Sequence, residues 1–137
     1  MFIHVATPDN RGHKYGWMSG EYLKVLRDGD EVLGSIIQEL KDKGMYDSTF
    51  ILVTSDHGGH EKNHIGTLIE DFRITWIAHG PGVIPQELDQ LMYTFDTAAT
   101  VAYALGLPIQ DAWAGIPVYK IFGDPQIKIH EKYPCKT

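Results

Sequence analysis

The stretch that decides the fold is Phe50-Ile51-Leu52-Val53-Thr54-Ser55-Asp56-His57-Gly58-Gly59. It begins with consecutive apolar residues, a pattern typical of a strand that is covered on both faces of a parallel α/β sheet. The polar residues and paired glycines that follow predict a turn directly after the strand. Because open α/β sheets bind their ligands beyond the carboxyl ends of the strands, this turn is a candidate functional site.

The residues upstream of this stretch predict a strand, a loop and a long helix. Residues 1–5 predict a short buried strand that stops before Pro8, since a proline biases the preceding residue away from helix. Residues 9–20 are polar and contain glycines, which favours a loop. From Ser19 the apolar residues recur at the 3.6-residue spacing of a helix, and Gly44 is the expected C-terminal stop.

The residues downstream predict further strands and a second helix. In order, these elements are a strand over 73–78, a helix over 97–105 capped by Asp96, and a short strand over 118–122. The alternation of strands and helices predicts an α/β fold with an open, mostly parallel sheet flanked by helices. We expect a single domain over residues 1–137, with 123–137 as a tail.

Composition and charge exclude several classes of protein. The chain is 43% hydrophobic and 22% charged, which suits a folded core rather than a disordered segment. A net charge of −6 and scattered basic residues exclude a nucleic-acid-binding surface as the main function. The single cysteine, Cys135, excludes a disulfide framework and a cysteine-based zinc site. No apolar run predicts a membrane span, and the first residues lack a secretion signal, so we expect a soluble, cytoplasmic chain.

Histidines and carboxylates concentrate in two places, each after a predicted strand. Three of the seven histidines lie between residues 57 and 64, and a second group follows the first strand. Carboxylate oxygens and imidazole nitrogens together are ligands for zinc and similar divalent ions. The candidate ligands, or side chains beside ligands, are Asp9, His13, Asp56, His57, His60 and His64.

Each of these groups also has a plain structural interpretation. Taken alone, residues 9–13 are typical of a polar surface loop, and residues 56–59 are typical of a turn that uses Asp and Gly for backbone reasons. His60 taken alone is a solvated histidine, and His64 taken alone is uninformative. Only the joint pattern separates a metal site from these alternatives.

The joint pattern resembles the alkaline phosphatase superfamily and, within it, the type I phosphodiesterase/nucleotide pyrophosphatase and sulfatase-like branch. The resemblance covers residues 1–122, in the family's order. The matching segments are Pro8-Asp9-Asn10-Arg11-Gly12-His13-Lys14-Tyr15-Gly16, Thr54-Ser55-Asp56-His57-Gly58-Gly59-His60, His64-Ile65-Gly66, the strand and turn at 74–82, the helix at 96–108, and Trp113-Ala114-Gly115-Ile116-Pro117-Val118.

The resemblance implies two neighbouring divalent metal ions, with zinc preferred and manganese as the alternative. One ion would take Asp9, His13 and His64, and the other would take Asp56 and His57. His60 is a candidate for a position behind the ligands. The family's remaining Asp ligand and its Thr or Ser nucleophile have no counterpart here, so we expect a chain truncated at the N-terminus of the fold and no catalytic nucleophile. Ile65 is a departure, because many relatives have Gly after the third histidine.

The spacing of these residues suits such a site. Neighbouring residues in a strand point to opposite faces, so Asp56 and His57 can share one ion only beyond the strand's end. The two glycines that follow are expected to permit a bend and to let the backbone pass close to the ion. Asp9 and His13 are interrupted by Gly12, and we therefore expect them on a loop rather than on a helix face.

The resemblance favours a metal-dependent hydrolase of phosphate or sulfate esters, incomplete in this chain. Its substrate would be a small phosphodiester, nucleotide pyrophosphate or sulfate ester. Its partner would be an N-terminal half, or a second copy paired through an exposed sheet edge. The alternatives are a non-catalytic module that binds metal or a partner, and a structural domain whose histidines bind nothing.

Overall fold

A computed structural model describes residues 1–89 and 92–123, which form a mixture of helices and strands. The elements are α1 (Thr7–Tyr15), α2 (Gly20–Asp42), β1 (Ile51–Thr54), α3 (Ile69–Phe72), β2 (Trp76–His79) and α4 (Asp96–Ala104), with 3₁₀ turns at Tyr46–Ser48 and Tyr119–Phe122. Within the described ranges, β1 and β2 pair in a two-stranded sheet. The mixed α and β character is confirmed, and the wider parallel sheet stays a prediction. The predicted tail, apart from Gly123, lies outside the described residues.

The long helix predicted from Ser19 is confirmed as α2. The Ser19 side chain caps its start, since Oγ accepts a hydrogen bond of 3.2 Å from the Tyr22 amide. Gly44 follows its end with a φ of 64°, a left-handed conformation that favours glycine. The Gly44 amide donates to the Lys41 carbonyl at 2.9 Å, which satisfies one of the last free carbonyls of the helix.

The predictions for the first 20 residues are wrong at both elements. Residues 1–5 are exposed and form no strand. Residues 9–15, predicted as loop, belong to α1. Pro8 lies in the first turn of that helix, where its missing amide hydrogen has no intrahelical partner to lose. Gly12, the other residue that argued against a helix, is buried in α1 because a neighbouring indole lies against it.

The downstream predictions are right in order and wrong in detail. β2 begins at Trp76 rather than at residue 73. Asp96 does not cap α4 from outside but is its first residue, and its side chain accepts hydrogen bonds from amides elsewhere. Residues 118–122 are not a strand: Ile121 donates to the Val118 carbonyl at 3.2 Å, which winds them into a 3₁₀ turn.

The chain divides into two compact units. The first comprises residues 1–49 and 53–77, with α1 packed against α2, and it contains every candidate ligand. Among the described residues, the second comprises 50–52, 78–89 and 92–123. Its buried apolar side chains there include those of Ala99, Ala102, Val118 and Ile121. No helix in the described ranges is long and apolar enough to cross a bilayer.

Candidate metal centre

Helix α1 places two of the candidate ligands on one face. Asp9 and His13 are four residues apart, the spacing at which helical side chains meet. The His13 Nε2 atom lies 3.4 Å from Asp9 Oδ1. The expectation that these residues occupy a loop is therefore wrong, but their proximity is produced by the helix itself.

The turn after β1 brings the adjacent Asp and His to the same place. The strand ends at Thr54, so Asp56 and His57 lie beyond it and are free of the alternation that separates neighbours in a strand. The His57 Nε2 atom lies 3.7 Å from Asp56 Oδ2 and 3.8 Å from Asp9 Oδ1. His57 thus reaches the Asp9 carboxylate, whereas Asp56 is exposed and lies against His57.

His64 completes a cluster of donor atoms around the same oxygen. Its Nε2 atom lies 3.8 Å from Asp9 Oδ1, and its ring stacks on that of His57 with centroids 3.8 Å apart. One donor atom from each of Asp9, His13 and His64 lies within 4.8 Å of the other two. We call these three side chains the ligand triad.

Backbone carbonyls set the proton positions on two of the imidazoles. His13 Nδ1 lies 2.9 Å from the Lys62 carbonyl, and His57 Nδ1 lies 2.7 Å from the Gly58 carbonyl. Because a carbonyl oxygen can only accept, Nδ1 carries the proton in each ring and donates it. In the neutral form of each ring, the Nε2 lone pair then faces the Asp9 carboxylate. Metal-binding histidines are commonly oriented by a hydrogen bond of this kind.

The Asp9 Oδ1 atom is the strongest indication that the cluster holds a cation. This oxygen is buried and has no hydrogen-bond partner. Buried polar atoms in folded proteins are almost always paired, because an unpaired one costs about 1–3 kcal/mol. A carboxylate oxygen surrounded by imidazole lone pairs fits a divalent ion, which would satisfy all of them at once. The donor set of oxygen and nitrogen suits zinc and also manganese.

Trp17 holds the two ligand-bearing segments together. A Cβ atom at Gly12 would lie 2.7 Å from its indole, and one at Gly59 would lie 2.2 Å from it. Its ring also meets His13 and His64 edge-on, with centroids 5.2 and 6.0 Å apart. The sequence analysis missed Trp17; a large aromatic residue inside a polar, glycine-containing segment is the signal that could have found it.

The glycines after His57 permit close approach of neighbouring groups. Neither Gly58 nor Gly59 has a left-handed φ. A Cβ atom at Gly58 would lie 2.0 Å from the Glu70 carbonyl oxygen, so the loop touches α3 backbone to backbone. The expected approach of this backbone to an ion stays a prediction.

His60 lies apart from the ligand triad and pairs with an acid that the sequence analysis missed. Its Nδ1 atom is 2.6 Å from Oδ1 of Asp71, a residue of α3 that is only 4% exposed.

The electrostatics of the site also affect Tyr22, a residue of α2. Burial raises its pKa, and the negative charge of Asp9 raises it further.

Comparison with known proteins agrees with the motifs. The family model for type I phosphodiesterase/nucleotide pyrophosphatase matches residues 1–96. Venom phosphodiesterase 2 of Crotalus adamanteus is 36% identical over 59 residues, which is 43% of this chain and 7% of that protein. Ectonucleotide pyrophosphatase/phosphodiesterase family member 1 of Rattus norvegicus is 26% identical over 104 residues, 71% of this chain and 12% of that protein.

A mouse protein described as bis(5'-adenosyl)-triphosphatase enpp4 is 44% identical over 57 residues, 41% of this chain and 12% of that protein. The alignments with these relatives thus span a small part of each relative's length. No solved structure matches the chain significantly.

Proposed function

This chain belongs to the type I phosphodiesterase/nucleotide pyrophosphatase family, and from that premise we propose that it carries the ligands of a two-metal centre for phosphoester hydrolysis. The ligand triad would hold one ion, and Asp56 with His57 would contribute to the second. Zinc is the preferred ion and manganese the alternative. The wider open sheet and the nucleophile belong to the same proposal, as features of the complete protein.

The observation that carries this proposal is the buried, unpaired Asp9 Oδ1 atom with three imidazole Nε2 atoms 3.4–3.8 Å away. Each residue has a distinct task. Asp9 supplies negative charge, which offsets part of the charge of a dication. His13 and His57 offer Nε2 lone pairs because backbone carbonyls hold their Nδ1 protons. Ions held there would polarise a phosphoryl oxygen and lower the pKa of an attacking hydroxyl.

Phosphodiesters and nucleotide pyrophosphates are the substrates we propose, ahead of sulfate esters. The support is that the relatives are described as phosphodiesterases and a nucleotide pyrophosphatase. Hydrolysis also needs a Thr or Ser nucleophile, which the family resemblance places in a segment without a counterpart in these 137 residues. We therefore propose metal binding for this chain alone and turnover for a protein that includes that segment, in the same chain or in another.

Metal stoichiometry tests the first part of the proposal. The purified, dialysed chain should retain one tightly bound ion, measured by elemental analysis and by calorimetry with zinc and with manganese. Asp9→Ala and His64→Ala should each lose that ion. His4→Ala is the matched control, because it removes a histidine from the exposed N-terminal residues. An ion that survives both triad substitutions, or a native chain that binds none, contradicts the proposal.

Substrate choice tests the second part. The chain, combined with the nucleophile-bearing segment of a relative, should hydrolyse bis(p-nitrophenyl) phosphate and leave p-nitrophenyl sulfate intact. The same mixture with His64→Ala is the control for contaminating hydrolase. Faster cleavage of the sulfate ester would contradict the phosphodiester assignment and leave the metal assignment standing.

A further inference from the structure

We propose that Asp71 is a positioning residue for the metal centre and that it acts through His60 on a tight hairpin beside the ligand triad. The inference rests on the proposed function, since the triad is the site that the hairpin serves. Neither Asp71 nor His60 touches the Asp9 oxygen at which the triad converges. The role follows from what the two residues hold in place.

Asp71 makes two hydrogen bonds to the loop between the candidate ligands His57 and His64. Its side chain is 2% exposed, and Oδ1 lies 2.6 Å from His60 Nδ1. Its backbone carbonyl accepts a hydrogen bond of 2.9 Å from the Gly58 amide. Gly58 directly follows the candidate ligand His57, and His60 begins the hairpin that leads to the next ligand. Helix α3 is thereby connected to both ends of the short segment between them.

The hairpin spans residues 60–63 and is closed from both sides. The His60 amide donates to the Asn63 carbonyl, and the Asn63 amide donates to the His60 carbonyl, each at 3.0 Å. Glu61, inside the turn, has a φ of 44°, the left-handed region that residues other than glycine rarely occupy. Such a conformation persists only where the surroundings fix it, and the His60–Asp71 bond is one such restraint.

Three features of the site depend on where this hairpin lies. The Lys62 carbonyl accepts the Nδ1 proton of His13 at 2.9 Å. The Glu61 carbonyl accepts the Trp17 amide at 2.6 Å. His64 follows the hairpin directly in the chain. A hairpin released from Asp71 would therefore free the His13 proton from its acceptor and displace a ligand of the triad.

The burial of Asp71 strengthens the anchor. Its second carboxylate oxygen, Oδ2, is buried without a hydrogen-bond partner, and a Cβ atom at Gly66 would lie 3.2 Å from it. The carboxylate is thus shielded from water, and His60 is the side chain that donates to it. A hydrogen bond that is shielded from water is electrostatically stronger than the same bond in water. The pair is suited to fixing a backbone turn.

The test compares four variants of the full chain. Asp71→Ala and His60→Ala remove either partner. His60→Asn keeps a donor, because the asparagine amide nitrogen takes nearly the place of imidazole Nδ1. Glu70→Ala removes the exposed neighbouring acid on α3 and is the matched control. The readouts are zinc affinity by calorimetry and, in the metal-free chain, the imidazole tautomer of His13 by long-range ¹H–¹⁵N NMR.

In the native chain and the Glu70→Ala control, His13 should be the Nδ1–H tautomer. Asp71→Ala and His60→Ala should convert it to a mixture and weaken zinc binding by about 10–100-fold, the usual effect of losing support behind a ligand. His60→Asn should restore both readouts. If an alanine variant loses the native NMR dispersion, the test is the comparison of His60→Asn with the native chain.

The outcomes separate this inference from the proposed function. An unchanged His13 tautomer in Asp71→Ala overturns the positioning role even if zinc still binds. His60→Asn that is no better than His60→Ala overturns it as well. Absence of zinc binding by the native chain contradicts the proposed function, and a tautomer that still depends on Asp71 then supports the positioning role by itself.

Discussion

Asp9 and Asp96 are two carboxylates with opposite surroundings. In the second unit, Asp96 is 3% exposed and both of its oxygens are paired: Oδ1 accepts from the Ile116 amide at 2.9 Å and Oδ2 from the Tyr93 amide at 2.8 Å. In the first unit, Asp9 Oδ1 is buried without a hydrogen-bond partner and faces three imidazoles.

The difference separates a carboxylate that stabilises the fold from one that is available to a cation. A buried acid whose two oxygens each accept a hydrogen bond from a backbone amide is stabilised without an ion. A buried oxygen that faces lone pairs is destabilising until a cation binds. Exposure alone does not make this distinction, since Asp96 is the more deeply buried residue of the two. The hydrogen-bond partners of each oxygen decide it.

The largest effect should come from removing each carboxylate in turn. Asp96→Ala removes the acceptor of two half-buried amides, so we expect a loss of about 2–5 kcal/mol in the free energy of unfolding. Asp9→Ala in the metal-free chain should be neutral or stabilising, because removing an unpaired oxygen offsets about 0.3–1 kcal/mol of lost helix-dipole interaction. Urea unfolding followed by circular dichroism measures both. Equal destabilisation by the two substitutions would contradict the difference drawn between the surroundings of Asp9 and Asp96.

A smaller loss of stability should follow when a glycine in close contact with backbone is replaced by alanine, in either unit. A Cβ atom would lie 2.0 Å from the Glu70 carbonyl oxygen at Gly58 and 2.3 Å from the Phe95 carbonyl oxygen at Gly115. Gly58→Ala and Gly115→Ala should therefore each lose about 1–3 kcal/mol of stability. Only Gly58→Ala should also weaken zinc binding, because Gly58 adjoins a ligand.

The matched control for these two variants is Gly34→Ala in α2, where nothing lies within 4 Å of the added carbon. It should gain about 0.5–1 kcal/mol, since glycine is unfavourable within a helix. Zinc affinity that falls in Gly115→Ala as much as in Gly58→Ala would show that general loosening, rather than the loop, controls the site.

Thr100 tests whether the second unit depends on saturated polar groups. Its Oγ1 atom donates to the Asp96 carbonyl at 2.7 Å and accepts from the Val118 amide at 3.0 Å. Thr100→Val keeps the shape and leaves that buried amide unpaired, so the loss should be about 1–3 kcal/mol. Thr100→Ser retains the hydroxyl and should recover most of it. Unfolding midpoints that fail to separate valine from serine would assign the effect to packing.

The sequence indicated which side chains lie together better than it indicated the elements that carry them, for a physical reason that α1 illustrates. Pro8 and Gly12 are helix breakers in an isolated chain, and their local preference favours a loop. In the structure, Pro8 occupies the first turn and Gly12 admits the Trp17 indole, so tertiary packing overrides the local preference. The choice of candidate ligands depended only on which side chains are present, and so Asp9 and His13 could be selected without knowing the element that carries them.

Asp71 and Trp17 could not be found in the same way. Their roles rest on contacts with residues distant in the chain, and neither follows a spacing rule. The strand prediction for residues 118–122 failed for a related reason. The pattern of apolar residues fits a strand, but the Val118 amide donates a hydrogen bond to the Thr100 hydroxyl on α4 instead. The local sequence shows directly which chemical groups are present. It predicts which residues contact one another only where a motif with a fixed spacing brings them together.

The smallest expected effect is the influence of the Asp9 charge on the pKa of Tyr22. Burial, and then the Asp9 charge, raise the pKa of Tyr22 above its ordinary value of 10.0. Because the folded-state pKa lies above the unfolded one, the stability linked to Tyr22 is present below pH 10.0 and is lost as the pH rises through the folded-state pKa. Tyr22→Phe should therefore lose less stability than the native chain in alkaline urea titrations.

Asp9→Asn should lower the pKa of Tyr22 part of the way, since burial remains, and Asp28→Asn should leave it in place because Asp28 is not among the charges that act on it. Ultraviolet absorbance of the phenolate, taken as the difference from Tyr22→Phe, measures the shift. A Tyr22 pKa that does not move in Asp9→Asn would contradict the contribution of the Asp9 charge and would leave burial as the cause of the raised pKa.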